Sequence, residues 1–122
     1  MATDSCPEAL ELVARNARAN GAQVETRMVD WAQPDALVSS GPFDLVLAAD
    51  VLYERPSVTL LLSLLPRLAP EAWLADPDRP AAGAFIEQAR ARWPLESRRR
   101  GVVQLHRLQL DGAVASNRSK RR

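Results

Sequence analysis

The stretch Phe43-Asp44-Leu45-Val46-Leu47-Ala48-Ala49-Asp50 decides the fold of this 122-residue chain. Five consecutive apolar residues, from Leu45 to Ala49, predict a strand that is covered on both faces. Strands of that kind belong to parallel sheets with helices on both sides. The strand ends at Asp50, and in open α/β sheets ligands bind at the carboxyl ends of the strands. A functional site is therefore expected at this edge.

Helices and strands alternate on both sides of this stretch. Upstream, the pattern predicts a helix from Pro7 to Asn20-Gly21, capped by Ser5, and then a strand over residues 23–29. Downstream, it predicts a helix from Pro56 that ends before Pro70, a strand over 72–76, a helix over 81–93 and an antiparallel edge strand over 101–110. Right-handed crossovers of this length give a doubly wound α/β fold, mostly parallel with an antiparallel C-terminal edge.

Composition points to an ordinary globular protein, with 47% apolar and 25% charged residues. No apolar run is long enough to cross a bilayer, which argues against a membrane protein. The N-terminal residues do not resemble a signal peptide, and the single cysteine, Cys6, fits a reducing compartment, so a cytoplasmic protein is expected. One domain is expected over residues 1–112, followed by a basic, disordered tail over 113–122.

The distribution of charge bears on possible partners. Four of the 16 cations lie between Arg118 and Arg122, so the rest of the chain is mildly acidic and offers no basic groove to nucleic acid. The stretch Arg98-Arg99-Arg100 is expected in a turn between two edge strands, where solvated arginines are common. Its alternative role is a contact with an acidic protein or an RNA.

Four strands are expected to end in a carboxylate, namely Asp4, Asp30, Asp50 and Asp76. Each of these residues has an alternative role, because acidic residues also cap the helix that follows a strand. No metal site is expected, since the chain has one cysteine and one histidine, His106, far apart in sequence. His106 lies in an alternating strand and is expected to be structural.

The residues around these carboxylates resemble a known family. Segments 2–10, 29–31, 43–53 and 74–80, in this order, are similar to the class I, Rossmann-like methyltransferases that use S-adenosylmethionine. Asp50-Val51-Leu52-Tyr53 resembles the Asp-x-x-Tyr motif of the seven-strand protein-lysine methyltransferases. The resemblance extends from residue 2 to about residue 110, and the order of the segments favours both the fold and the cofactor.

The resemblance implies a set of residues that bind S-adenosylmethionine. Asp4 would hold the ribose hydroxyls, because a carboxylate accepts both hydrogen bonds of a diol. Asp30 would take the adenine amino group. Trp31 would lie near the adenine plane, although a Trp at a strand end also serves as core. Ala48, together with Asp50, would line the methionine and methyl-transfer region.

Asp50 and Tyr53 are the implied catalytic residues. Asp50 would orient an amine acceptor and take its proton, while Tyr53 would flank the incoming nucleophile. A half-buried aromatic with its hydroxyl in water is the alternative for Tyr53. The resemblance favours a protein lysine as the acceptor, and small amines or other protein side chains remain open.

One part of the family pattern is missing. The glycine-rich loop that follows the first strand has no counterpart, because the five glycines are scattered singly. We therefore expect the chain to be the C-terminal two-thirds of such an enzyme, without the first strand and its loop. Unpaired edges, exposed apolar surface and a marginal or aggregating isolated chain should follow.

Two other functions are considered. The chain could be a catalytically inactive methyltransferase-like binding partner, whose missing strand is donated by a complementing subunit. A nicotinamide-dependent dehydrogenase shares an acidic residue that binds ribose. It ranks lower, because it gives no role to Asp30-Trp31 or to Asp50 and Tyr53.

Overall fold

A computed structural model describes residues 1–52 and 54–112, and the chain divides into two compact units, the first over Met1–Leu37 and the second from Val38 onward. The first unit contains strand β1 (Ala2–Asp4), helix α1 (Pro7–Ala19) and strand β2 (Thr26–Met28). Helix α2 (Asp35–Ser39), which the sequence analysis missed, runs across the boundary between the units.

The first unit is a small parallel β-α-β arrangement. Strands β1 and β2 pair in parallel, with Asp4 opposite Met28. Helix α1 ends where expected, because Gly21 adopts a φ of 66°, which glycine reaches without strain. None of the residues of α1 is fully buried. This unit is therefore thinly packed.

The start of α1 differs from the sequence expectation. The N-cap is Cys6 rather than Ser5, and no side chain caps the helix by a hydrogen bond. The Cys6 thiol instead donates to the Glu8 carboxylate, with 3.1 Å between Sγ and Oε2, and this bond lowers the pKa of Glu8. Pro7 occupies the first turn, where its missing amide costs nothing.

The second unit contains a four-stranded mixed sheet in the order β3-β4-β6-β5. Strands β3 (Val46–Ala49) and β4 (Glu71–Asp76) run parallel, while β6 (Val103–Gln109) runs antiparallel to both of its neighbours, β4 and β5 (Leu95–Arg100). The strand expected over 101–110 is therefore internal, and β5 forms the edge. Arg98-Arg99-Arg100 belongs to β5 and not to the turn that was expected there.

Two helices provide the core of the second unit. Helix α3 (Arg55–Leu68) buries six of its apolar side chains, as its nearly continuous leucine pattern predicts. Helix α4 (Ala82–Arg92) contributes Phe85 and Ala89, which are fully buried. The two helices contact each other, and their apolar side chains form the main core of the chain.

Within the described residues of the second unit, helices cover only one face of its sheet. Along β4, Ala72 and Leu74 are buried, whereas Trp73 between them is 39% exposed. Leu47, which pairs with Trp73, is 74% exposed. An open apolar groove of about 460 Å³ lies on this face and includes Leu45 and Leu105. The expectation that strand 45–49 is covered on both faces is therefore wrong, whereas the expected exposed apolar surface is present.

No helix within the described residues is long and apolar enough to cross a membrane.

Candidate active site

The first unit brings Asp4 and Asp30 to the same edge of its sheet. Asp4 is the last residue of β1, and the Val29 amide donates to the Asp4 carbonyl oxygen at 3.0 Å. Asp30 follows Val29 directly, so both aspartates lie at the carboxyl ends of the paired parallel strands. This is the edge at which the sequence predicts ligand binding.

Both carboxylates already form one local hydrogen bond. Asp4 Oδ1 accepts from the Cys6 amide, and Asp30 Oδ1 accepts from the Ala32 amide, each at 2.9 Å. These are turns in which an aspartate binds the backbone two residues ahead. Both aspartates are exposed. Within the described part of the chain neither has a further side-chain partner, so each keeps one oxygen available for a ligand.

Trp31 is half-buried beside this edge. An indole that is only partly covered retains flat apolar surface on which an aromatic ligand can stack. Its partial burial also fits the alternative role as a core residue. The structure therefore places a half-buried Trp31 next to Asp30 in the chain.

In the second unit, Asp50 forms a bidentate ion pair with Arg79. Arg79 Nε donates to Oδ1 at 2.9 Å and Nη2 donates to Oδ2 at 2.8 Å. The hydrogen bond from Arg79 lowers the pKa of the Asp50 carboxyl. Side-chain exposures of 46% for Arg79 and 45% for Asp50 leave the pair open to solvent.

The backbone fixes Asp50 in an unusual conformation. Its φ is 52°, in the left-handed region that non-glycine residues seldom adopt. Its amide donates to the Ala75 carbonyl at 2.9 Å, which extends the pairing of β3 with β4 beyond Ala49. Aspartate is one of the few non-glycine residues that adopt this region readily, and Asp78 adopts it as well.

The loop after β4 presents Arg79 to Asp50. Asp76 is 2% exposed, and its Oδ2 and Oδ1 accept from the amides of Asp78 at 3.0 Å and Arg79 at 3.4 Å. The Asp76 carboxylate therefore organises the turn after β4 and does not cap helix α4, whose N-terminus has no side-chain hydrogen bond. The Arg79 backbone is held at the sheet edge while its side chain stays partly exposed.

A second ion pair lies next to the first. Asp78, which also has a positive φ of 65°, accepts from Arg99 Nη2 at 2.9 Å and from Gln104 Nε2 at 3.3 Å. Arg99 and Gln104 belong to β5 and β6, so this contact ties the loop after β4 to the antiparallel strands. The carboxyl edge of β4 is thus stabilised from both sides.

His106 is buried under this edge. Its Nδ1 lies 2.8 Å from the Ser97 hydroxyl, which also accepts from Arg90 at 3.2 Å. Burial lowers the pKa of His106, so the imidazole is neutral near pH 7. The arrangement agrees with the structural role that the sequence favours.

Two of the predicted features, Tyr53 and the tail over 113–122, lie outside the described residues.

Ala48 is half-buried on β3, two residues before Asp50. Elsewhere in the described ranges, no three His, Cys, Asp or Glu side chains are grouped as a metal site would require.

Comparison with known proteins identifies the family. The family model described as lysine methyltransferase matches residues 1–73, which is more than half of the chain. The chain belongs to this family. The residues to which the resemblance assigned cofactor-binding or catalytic roles lie within the matched segment, whereas Asp76 lies just beyond it. A search of curated proteins returned no match.

The fold of the family is present in a solved structure as well. The chain is similar to the crystal structure of a methyltransferase from Geobacter sulfurreducens, with a TM-score of 0.60 and 17% sequence identity. The match covers 89% of this chain and 57% of that chain, so the chain spans little more than half of its neighbour's length. At this identity the likeness concerns the fold alone, and it confirms the Rossmann-like methyltransferase architecture.

The sequence analysis did not predict the ion pair between Arg79 and Asp50. The segment over 74–80 supported the family resemblance, but no role was given to its arginine. A signal was available, because an arginine in a turn after one parallel strand lies at the same edge as an aspartate that ends the neighbouring strand. Their pairing needs the register of β3 and β4, which the sequence alone does not provide.

Proposed function

We propose that this chain is the larger part of an S-adenosylmethionine-dependent methyltransferase that acts on a protein lysine or another amine nitrogen. The family match over residues 1–73 is the observation that carries the proposal. Independent support comes from the carboxylates at the carboxyl edges of both sheets, since that is where a doubly wound fold binds its ligands.

The residues present in the first unit fit the cofactor. Asp4 and Asp30 are exposed and each retains a carboxylate oxygen, which suits hydrogen bonds from a ribose diol and from an adenine amino group. The half-buried indole of Trp31 suits the adenine face. We assign these three residues, together with Ala48 on the methionine side, to cofactor binding. When bound, the cofactor supplies a methyl group that is already activated on a sulfonium.

The contribution of the protein is then mainly alignment. An in-line displacement is accelerated when the nucleophile is held close to the methyl group and collinear with the sulfur. Asp50 is suited to orient an amine, because its backbone is fixed by Ala75 and its carboxylate is half-exposed. Arg79 lowers the pKa of Asp50, which weakens it as a base while the pair persists. We assign Tyr53 to the acceptor side on the family resemblance.

We further propose that cofactor binding requires a complementing segment that carries the glycine-rich loop. Strand β3 lies at an edge of its sheet, and both Leu47 within the strand and Leu45 just before it are exposed. A strand paired with β3, followed by a covering helix, would satisfy the edge and bury these leucines. The segment would come either from additional residues of the same polypeptide or from a complementing subunit. The cytoplasm is the proposed location.

Isothermal titration with S-adenosylmethionine and S-adenosylhomocysteine tests this function. The titration is made into the 122-residue chain and into a version extended upstream by the missing strand and loop. We expect only the extended form to bind, with Asp4→Ala abolishing the binding. Glu11→Ala, which removes an exposed acid from α1 in the same unit, is the matched control and should leave binding unchanged.

Absence of binding in both forms would overturn the enzyme proposal. It would then favour the alternative, a catalytically inactive methyltransferase-like protein that acts as a binding partner. Binding to the 122-residue chain alone would remove the need for a complementing segment and leave the methyltransferase proposal intact.

A further inference from the structure

The Arg79 guanidinium is bound to the carboxylate of Asp50, which is the group that the proposed function assigns to the methyl acceptor. Both oxygens of Asp50 are bonded to the guanidinium, so the negative charge is largely neutralised before any substrate arrives. An incoming ammonium group, such as that of lysine, carries the same charge as Arg79. The two cations therefore compete for one carboxylate.

The Arg79 side chain can leave the pair, because the contacts that hold the two residues in place are made by their backbones. Asp50 is fixed through its backbone by Ala75, and the Arg79 amide is held by the buried Asp76. The Arg79 side chain itself is 46% exposed. The guanidinium can consequently turn into solvent without any change in the backbone of either loop.

We propose that Arg79 is an internal competitor of the methyl acceptor, and that a cationic amine reaches Asp50 only by displacing its guanidinium. The inference rests on the proposed function for the meaning of the site, but the exchange concerns only residues of this chain. It identifies the acceptor as an amine that binds as a cation small enough to replace a guanidinium at a half-exposed carboxylate, and that gives a proton to Asp50 before its nitrogen lone pair attacks the methyl carbon. Arg79 acts here as a residue that controls access and not as a catalytic group.

The expected loss of amine affinity caused by Arg79 can be estimated from the exposure of the ion pair. Exposed ion pairs are populated only a few-fold over their open form, and an acceptor that binds the open form alone loses affinity by that fraction. Removal of Arg79 should therefore tighten amine binding by about two- to sixfold. Since pairing lowers the pKa of Asp50, the same change should also raise that pKa.

The test is a carbon-13 NMR titration of the Asp50 carboxyl in the 122-residue chain, with n-butylammonium chloride as the probe of a lysine side chain. In Arg79→Gln we expect a higher pKa at Asp50 and tighter binding of the probe than in the wild type. Arg79→Lys keeps the charge but loses the bidentate contact, so its Asp50 pKa and its probe affinity should lie between those of the wild type and Arg79→Gln. The double variant Asp50→Asn, Arg79→Gln has no carboxyl to observe, so its binding is followed on the signals of the n-butylammonium probe, and it should lose the gain.

Arg99→Gln is the matched control, because it removes the same positive charge from the neighbouring pair with Asp78, which has one hydrogen bond from Arg99, and leaves Asp50 untouched. It should bind the probe as the wild type does. n-Butanol, the uncharged counterpart of the probe, should not shift the Asp50 signal in any variant. Circular dichroism of each variant checks that the fold is retained.

Equal affinity of wild type and Arg79→Gln for the probe, or no binding in either, would overturn the inference. A gain of the same size in Arg99→Gln would also overturn it, because the effect would then be one of general charge. Failure of the proposed function has a separate signature, namely absence of cofactor binding in the extended chain. The two results can therefore be told apart.

Discussion

The two units of the chain differ in packing, although both present aspartates at the carboxyl edge of a sheet. In the first unit, α1 has no fully buried residue and each strand is three residues long. In the second unit, α3 and α4 form a core around Phe85 and Leu65. The proposed cofactor residues Asp4 and Asp30 thus lie on the thinly packed unit, and Asp50 lies on the well-packed one. A similar arrangement of strand ends does not imply a similar stability.

The largest change in the free energy of unfolding is expected when a core side chain of the second unit is removed. Phe85 is fully buried, so Phe85→Ala should lower the free energy of unfolding by about 3–5 kcal/mol. Leu12→Ala, on the 56% exposed side chain of α1, is the matched control and should cost less than about 0.5 kcal/mol. Urea unfolding followed by circular dichroism measures both. Equal losses would contradict the contrast between the units.

Hydrogen exchange should show the same contrast in the unaltered chain. Amides of β1, α1 and β2 should open with a free energy at least about 2 kcal/mol lower than amides of β4 and β6, because local stability follows packing. Mass spectrometry of peptic fragments resolves the two units. Equal protection in both would indicate that they unfold together.

Acidification should weaken the second unit through His106. Burial has the largest effect and lowers the pKa of this residue; Asp76 raises it, Arg90 lowers it and Asp78 raises it, and the net pKa is lowered. The unfolded chain therefore binds the proton more readily, and stability should fall as the pH drops below about 6.5 until the lower folded pKa is passed.

The chain has one histidine, so the variant His106→Gln isolates this effect. Urea midpoints measured between about pH 7.5 and pH 5 should fall in the wild type and change much less in the variant. A parallel fall in both proteins would assign the pH dependence to other groups.

The smallest effect on stability is expected at the exposed face of the sheet. Leu47→Asp should change the free energy of unfolding by no more than about 0.5 kcal/mol, yet it should reduce aggregation of the isolated chain. Val102→Asp alters a side chain of similar exposure, 77% against 74%, in the turn between β5 and β6. Light scattering that falls equally in both variants would show that the groove around Leu47 is not the adhesive surface.

The local sequence pattern was sufficient to predict the position of most helices and strands, but not which of their faces are buried. The nearly continuous leucines of α3 and the stop at Gly21 placed two helices within one or two residues of their observed bounds. The apolar run from Leu45 to Ala49 gave the right strand but the wrong burial. Burial depends on what covers a face, and no property of five apolar residues specifies that.

The same division applies to the site. The sequence by itself indicated most of the strands and helices, though not α2 or β5, together with the family and the aspartates that end the strands, because hydrophobic periodicity and short motifs are local properties. Only the tertiary structure decided that Asp50 is paired with Arg79, that Asp78 is paired with Arg99, and that β6 is internal. These features join residues distant in sequence through strand register, and register is fixed only when the sheet assembles.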